Sequence, residues 1–223
     1  MAITQERTHA GQAIYTKPTL NLYDLVVLGV SNRWIWKCCT PWQLEHYDRH
    51  IRGNHLDIGV GTGYYPDKCR FLSPAPRIAL MDLNPHSLAH AAQRIARYQP
   101  STHVRNILEP IAWEEAKFDS IGLNYLFHCL PGSMAEKAVV FDRIQPLMAP
   151  GAVVFGATLL QGPEIPRSFL ARRLMALYNK KGVFTNTDDT LPALGEALDS
   201  RFREVSLEVV GCCALFSGRI PRT

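Results

Sequence analysis

Two aspartates and a run of glycines are the residues of this chain best suited to chemistry. Asp57 ends a short apolar run in "HLDIGVGTGYYPD" (55–67), and Gly59, Gly61 and Gly63 follow at every second position. Asp82 ends a second apolar run, "RIALMDLN" (77–84), about 25 residues after Asp57. A glycine turn between a strand and a helix lets backbone approach a nucleotide closely. The dinucleotide fingerprint needs a small residue where Tyr64 stands, so that helix and strand close around a pyrophosphate. Asp57 would repel a pyrophosphate and attract a cation. Asp82 is placed to accept bonds from both hydroxyls of a ribose.

Those residues need strands to carry them and helices to hold the strands apart. Short apolar runs at 55–60, 77–84, 103–108, 118–127 and 151–160 read as five strands. Between them, Asn84-Pro85 opens a helix, with a cap residue before proline at the first helical position. Leu88, Ala91, Ala92, Ile95 and Ala96 fall on one face of that helix. Met134–Leu147 reads as one helix, 167–182 as a basic amphipathic helix ended by Gly182, and 191–198 as a short helix. Strands alternating with helices predict a parallel sheet with right-handed crossovers. "REVSLEVVG" and "CCALFSGR" (203–219) follow each other directly and read as two antiparallel strands at one edge. The expected fold is therefore α/β: a Rossmann-like, doubly wound, seven-stranded sheet, mostly parallel with an antiparallel C-terminal strand, plus an N-terminal helical cap. Residues 1–50, rich in aromatic side chains, form the expected cap or lid, and 51–223 the cofactor-binding domain.

A ligand with a ribose, an adenine and positive charge satisfies the glycines, Asp57 and Asp82 together. S-adenosyl-L-methionine, with a cationic ammonium and a cationic sulfonium, is such a molecule. "LDIGVGTGYYPD", "ALMDLN", "FDSIGLNYLFHCLPG" and "LMAPGAVVFGATLL", in that order, resemble the class I S-adenosylmethionine-dependent methyltransferases. The resemblance covers Asn54 to about Thr158 and is nearest to the small-molecule branch of ubiquinone-type and natural-product enzymes. It implies that Asp57, Gly59 and Gly61 line the methionine end of the cofactor. It places Asp82 on the ribose and Leu83 against the adenine. Asn106, at the end of the third strand, would face the adenine amino group, with Ile107 packed on the purine. Asn124 and Tyr125 would lie beside the methionine and the methyl group.

Methyl transfer is an in-line displacement, so the protein supplies orientation and sometimes a base. His128 follows the fourth strand at the edge where open α/β sheets bind ligands, and its ordinary pKa near 6.5 suits proton removal. It reads either as that base or as a packing residue. Tyr23 and Trp36 are candidates to meet the acceptor from the cap, or to pack the cap on the sheet. The Asn-Pro-Pro-Tyr type of motif, which marks transfer to planar amino groups, is replaced by "NYLF" (124–127).

The net charge of +4 over 223 residues holds no concentrated basic tract, so no nucleic-acid partner is expected. No apolar run is long enough to span a bilayer, and no metal-ligand spacing occurs among the six cysteines. These features predict a cytoplasmic monomer or homodimer with reduced thiols. The expected activity is methyl transfer to a small, partly apolar acceptor, most readily at oxygen as a carboxylate or hydroxyl, in secondary metabolism. A non-catalytic methyltransferase-like binding subunit and an RNA or protein methyltransferase are the alternatives.

Overall fold

The computed structural model describes residues 24–222. Its seven strands are β1 (Asn54–Ile58), β2 (Arg77–Asp82), β3 (Ser101–Val104), β4 (Phe118–Asn124), β5 (Met148–Leu159), β6 (Arg203–Val210) and β7 (Cys213–Arg219). They form one sheet in the order β3-β2-β1-β4-β5-β7-β6. The first five strands pair in parallel, and β7 runs antiparallel to both β5 and β6. Only Gly211 and Cys212 link β6 to β7, and a connection that short permits only a hairpin. The predicted mixed sheet is the observed one.

The helices are a π-helical segment (Asp24–Ile35), α1 (Thr40–His50), α2 (Tyr64–Lys68), α3 (Pro85–Arg94), α4 (Met134–Lys137), α5 (Val139–Ile144), α6 (Phe169–Lys180) and α7 (Leu191–Asp199). Asn84 caps α3 as expected, its side chain accepting from the backbone N–H groups of His86 and Ser87. Among the described residues, no helix is long and apolar enough to cross a membrane.

Three details depart from the sequence reading. β3 occupies 101–104 rather than 103–108, because its partner β2 ends at Asp82, opposite Val104. Asn106 therefore lies in the turn beyond the strand. The helix expected over 134–147 is split at Ala138 into α4 and α5 and tightens into a 3₁₀ turn, Gln145–Leu147, which includes Pro146. Residues 24–50 also do more than form a cap or lid. Trp36 and Cys38 belong to the main core, while Leu28, Tyr47 and Ile51 pack with Val153 and Phe155 of β5. The Tyr47 ring meets Phe155 edge-on at 5.0 Å. Burying that aromatic area seats α1 on the face of the sheet.

Candidate active site

Parallel strands present their carboxyl ends together, and the ends of β1, β2 and β4 open onto one cavity. All nine residues expected to meet the cofactor line it: Asp57, Gly59, Gly61, Asp82, Leu83, Asn106, Ile107, Asn124 and Tyr125. The glycine turn shapes the near wall. Gly61 has φ +51°, and a Cβ there would meet no atom within 4 Å. Gly63 serves packing instead: a Cβ on it would stand 2.9 Å from Ala91 of α3.

Four polar groups set the electrostatics. Asp57 is buried, and its Oδ2 accepts the Tyr47 hydroxyl at 2.7 Å. Asp82 is half-buried and accepts the Asn84 N–H at 2.8 Å. Burial pushes its carboxyl up to about 6, against the pull of the N–H groups of Asn84, Val60, Gly61 and Leu83. Asn124 is buried, and neither its Nδ2 nor its Oδ1 has a hydrogen-bond partner among the described residues. A buried amide left without both bonds costs about 1–3 kcal/mol per group, so its place in the wall favours a polar ligand there.

Tyr125 is the fourth. Its φ is +56°, a left-handed conformation that costs a non-glycine residue about 1–3 kcal/mol. Its N–H donates to Ala157 O at 2.7 Å, which holds the turn. Its hydroxyl donates to Asn32 Oδ1 and accepts from Gln43 Nε2, both at 2.7 Å. Gln43 Oε1 in turn accepts the Tyr65 hydroxyl at 2.5 Å. Burial holds the Tyr125 phenol well above its ordinary pKa, so it stays protonated at neutral pH. A second tie joins the same segment to the glycine turn: Asp24 accepts from Thr62 at 2.6 Å and from Arg94 at 2.5 Å. Leu28 thereby reaches the cavity wall.

Three expected residues do not join this group. His128 does not line the cavity; it is buried with its ring against Phe184 at 4.7 Å and Tyr125 at 5.3 Å. Its Nδ1 faces Thr158 Oγ1 and the Leu159 N–H, each at 3.4 Å. Burial, then the Lys137 charge, lower its pKa to about 3, too weakly basic to hold a proton taken from an acceptor at neutral pH. Trp36, 2% exposed, lies in the core 6.2 Å from the Phe184 ring, and not in the cavity wall. Tyr23 lies outside the described residues.

Leu28, Ser87, Arg105, Leu126 and Leu130 line the cavity without having been singled out. Leu126 and Leu130 flank His128, and apolar residues just past a strand carry no signal that tells a cavity wall from the core. Ser87 is three residues past the Asn84 cap, so the first turn of α3 was the available signal. Cys129 also lines the cavity, and burial raises its thiol to about 12, so it is a neutral, apolar surface. Asn106 spends part of its side chain locally, donating to Glu109 and accepting from the Leu108 N–H.

A family model described as "Methyltransferase domain" matches residues 56–154. The chain is 42% identical over 206 residues to demethylluteothin O-methyltransferase of Streptomyces thioluteus, covering 92% of this chain and 89% of that protein. It is 34% identical over 217 residues to the physcion biosynthesis cluster O-methyltransferase of Aspergillus chevalieri, covering 96% and 97%. Among solved structures, the DhpI–SAH complex superposes with a TM-score of 0.68 at 16% identity, covering 99% of this chain and all 100% of that one. The N-methyltransferase NodS of Bradyrhizobium japonicum, with S-adenosylhomocysteine, gives 0.61 at 18% identity, covering 98% and 100%. At those identities the structures speak for the fold alone. The near full-length relatives and the four sequence segments, borne on this sheet, place the chain in the class I S-adenosylmethionine-dependent methyltransferases, in the branch that acts on small molecules.

Proposed function

We propose that the cavity at the ends of β1, β2 and β4 holds S-adenosylmethionine, and that the chain transfers its methyl group to an oxygen of a small, partly apolar acceptor. The observation that carries the site is Asn124, a buried amide on the cavity wall with donor and acceptor both unpaired among the described residues. The wall fits the cofactor's charges in the same order: carboxylates at Asp57 and Asp82, open space over Gly61, and apolar Leu83, Ile107 and Leu130. Asp57 and Asn124 hold the amino-acid end, Asp82 the ribose, and Leu83 and Ile107 the purine. Asn106 offers its remaining amide capacity to the adenine edge. Tyr125 fixes the wall beside the reacting methyl through its two hydrogen bonds.

Bound there, S-adenosylmethionine supplies an electrophilic methyl carbon on a sulfonium leaving group. The protein's part is alignment and exclusion of water. No histidine lines the cavity among the described residues, which suits an acceptor oxygen that ionises readily itself: a carboxylate, phenol or enol. Relatives named O-methyltransferases, one of them for a biosynthesis cluster, support oxygen and secondary metabolism.

Calorimetric titration with S-adenosylhomocysteine tests the site. Asn124→Leu should weaken binding by about tenfold, about 1.4 kcal/mol. Wild-type protein that takes up no ligand would remove the site and the activity together. Transfer of a labelled methyl group to acidic hydroxyl compounds, but not to amines, is the expected result of an acceptor screen.

A further inference from the structure

Asp57 is held from behind by a chain of buried groups that no ligand would touch. Tyr47 has one hydroxyl proton, and it goes to Asp57 Oδ2 at 2.7 Å. The Tyr47 oxygen also lies 2.9 Å from His55 Nε2, so it must accept there, and Nε2 must carry a proton. In the neutral imidazole Nδ1 is then bare, and it accepts from the Ser120 hydroxyl at 2.9 Å. Ser120 Oγ accepts the Arg52 N–H at 3.0 Å. Each member thus donates toward the next, and the series ends on the carboxylate. Tyr47, His55 and Ser120 are fully buried. Aligned hydrogen bonds in such a medium polarise one another.

Geometry and burial make this more than packing. The Tyr47 ring is clamped by Tyr65, stacked at 5.5 Å, and by Phe155, so its hydroxyl has one direction. Burial first, then the Asp57 charge, keep the phenol protonated and donating. One carboxylate oxygen is thereby occupied and the carboxyl plane fixed, while Asp57 still forms part of the cavity wall.

We infer that Tyr47, backed by His55 and Ser120, is a positioning residue that holds the Asp57 carboxylate oriented toward the ammonium group of the cofactor's amino-acid end. This rests on the proposed placement of that end at Asp57. The chain spans α1, β1 and β4, so it also makes the seating of α1 on the sheet part of the cofactor site.

The test compares two ligands by calorimetry. S-adenosylhomocysteine carries the ammonium; 5′-methylthioadenosine keeps adenine, ribose and thioether but lacks the amino acid. Asp57→Asn and Tyr47→Phe should each weaken S-adenosylhomocysteine by about tenfold or more and leave 5′-methylthioadenosine within about twofold. Ser120→Ala, two bonds farther from the carboxylate, should act in the same direction by about two- to threefold, and it stands in should Tyr47→Phe fold poorly. Unchanged binding of S-adenosylhomocysteine by both Tyr47→Phe and Ser120→Ala, beside a loss in Asp57→Asn, would overturn the inference and leave the site standing. Equal loss of both ligands in Tyr47→Phe would also overturn it, as the mark of a merely structural role. Wild-type affinity in Asp57→Asn would remove the placement of the ammonium, and the inference with it.

Discussion

Asp82 and Asp189 are both carboxyl groups whose pKa burial raises, yet they belong to regions with opposite uses of polarity. Asp189 and Lys137 are wholly buried, with Lys137 Nζ 2.6 Å from Asp189 Oδ2 and 2.9 Å from Thr185 O. Around them, Asn186 binds Gln161, Asn179 and the Leu159 carbonyl, so the segment after β5 turns most of its polar groups inward on one another. Asp82 sits half-exposed on the cavity wall, held on one side by backbone N–H groups, and Asn124, without side-chain partners among the described residues, lines the same cavity. A shifted carboxyl alone therefore does not mark a site. Place in a cavity wall separates the two: Asp82 lines the cavity and Asp189 does not, although Asp189 Oδ1 also lacks a partner among the described residues.

The largest effect that would separate the two regions is on Lys137. Lys137→Met leaves Asp189 as a buried, unpaired charge and should cost about 3–5 kcal/mol of stability, read by urea unfolding. Lys137→Met with Asp189→Leu should recover most of that loss. In both variants the folded protein should bind S-adenosylhomocysteine like wild type; lost affinity would show that the two regions are coupled.

Asp82→Asn should do the reverse: bind S-adenosylhomocysteine at least about tenfold more weakly, about 1.4 kcal/mol, without a lower melting temperature at pH 7. The sign follows from the raised folded-state pKa. The native carboxyl binds its proton more tightly than the unfolded one, so its effect on stability is favourable at low pH and lost as pH rises through about 6. A fall in melting temperature would mean that Asp82 holds the fold as Asp189 does.

Acidity sharpens the same contrast. If Asp82 holds the ribose as proposed, the bonds need its carboxylate, so affinity at pH 5 should be about tenfold below that at pH 7, with the bend near pH 6. The fold should also weaken on acidification, through other groups. Burial lowers His46 to about 4 and His50 and His128 to about 3. Their depressed values mean stability that is present above about 6.5 and lost as pH falls toward the folded-state values. Urea unfolding at pH 7 and pH 5 reads this term, and Asp82→Asn should leave it in place while removing the bend in affinity.

The smallest expected change is in turnover of His128→Gln. Loss of a general base costs about 10²–10⁴-fold, whereas a packing histidine should cost less than about threefold in kcat and be visible mainly as a lower melting temperature. A hundredfold loss of kcat would restore His128 to the chemistry and move the boundary between the regions.

The sequence by itself determined the sheet and residues that line the cavity at its carboxyl edge. Asp57, Gly59, Gly61 and Asp82 are local to strand ends, and where alternating apolar runs put a strand, they also put its last residue at the carboxyl edge. The hairpin of β6 and β7 was legible for the same reason, from the shortness of the link. Tertiary structure alone decided what depends on packing between distant segments. It ended β3 at Val104 because β2 ends opposite it. It sent His128 into the space against Phe184 and Trp36 into the core, because no spacing rule tells on which side of a turn a ring finds room. It also brought Tyr47 of α1 and Ser120 of β4 to either side of His55, behind Asp57. Ser120 is 65 residues from His55 along the chain, and only burial in a common interior gives these hydrogen bonds direction.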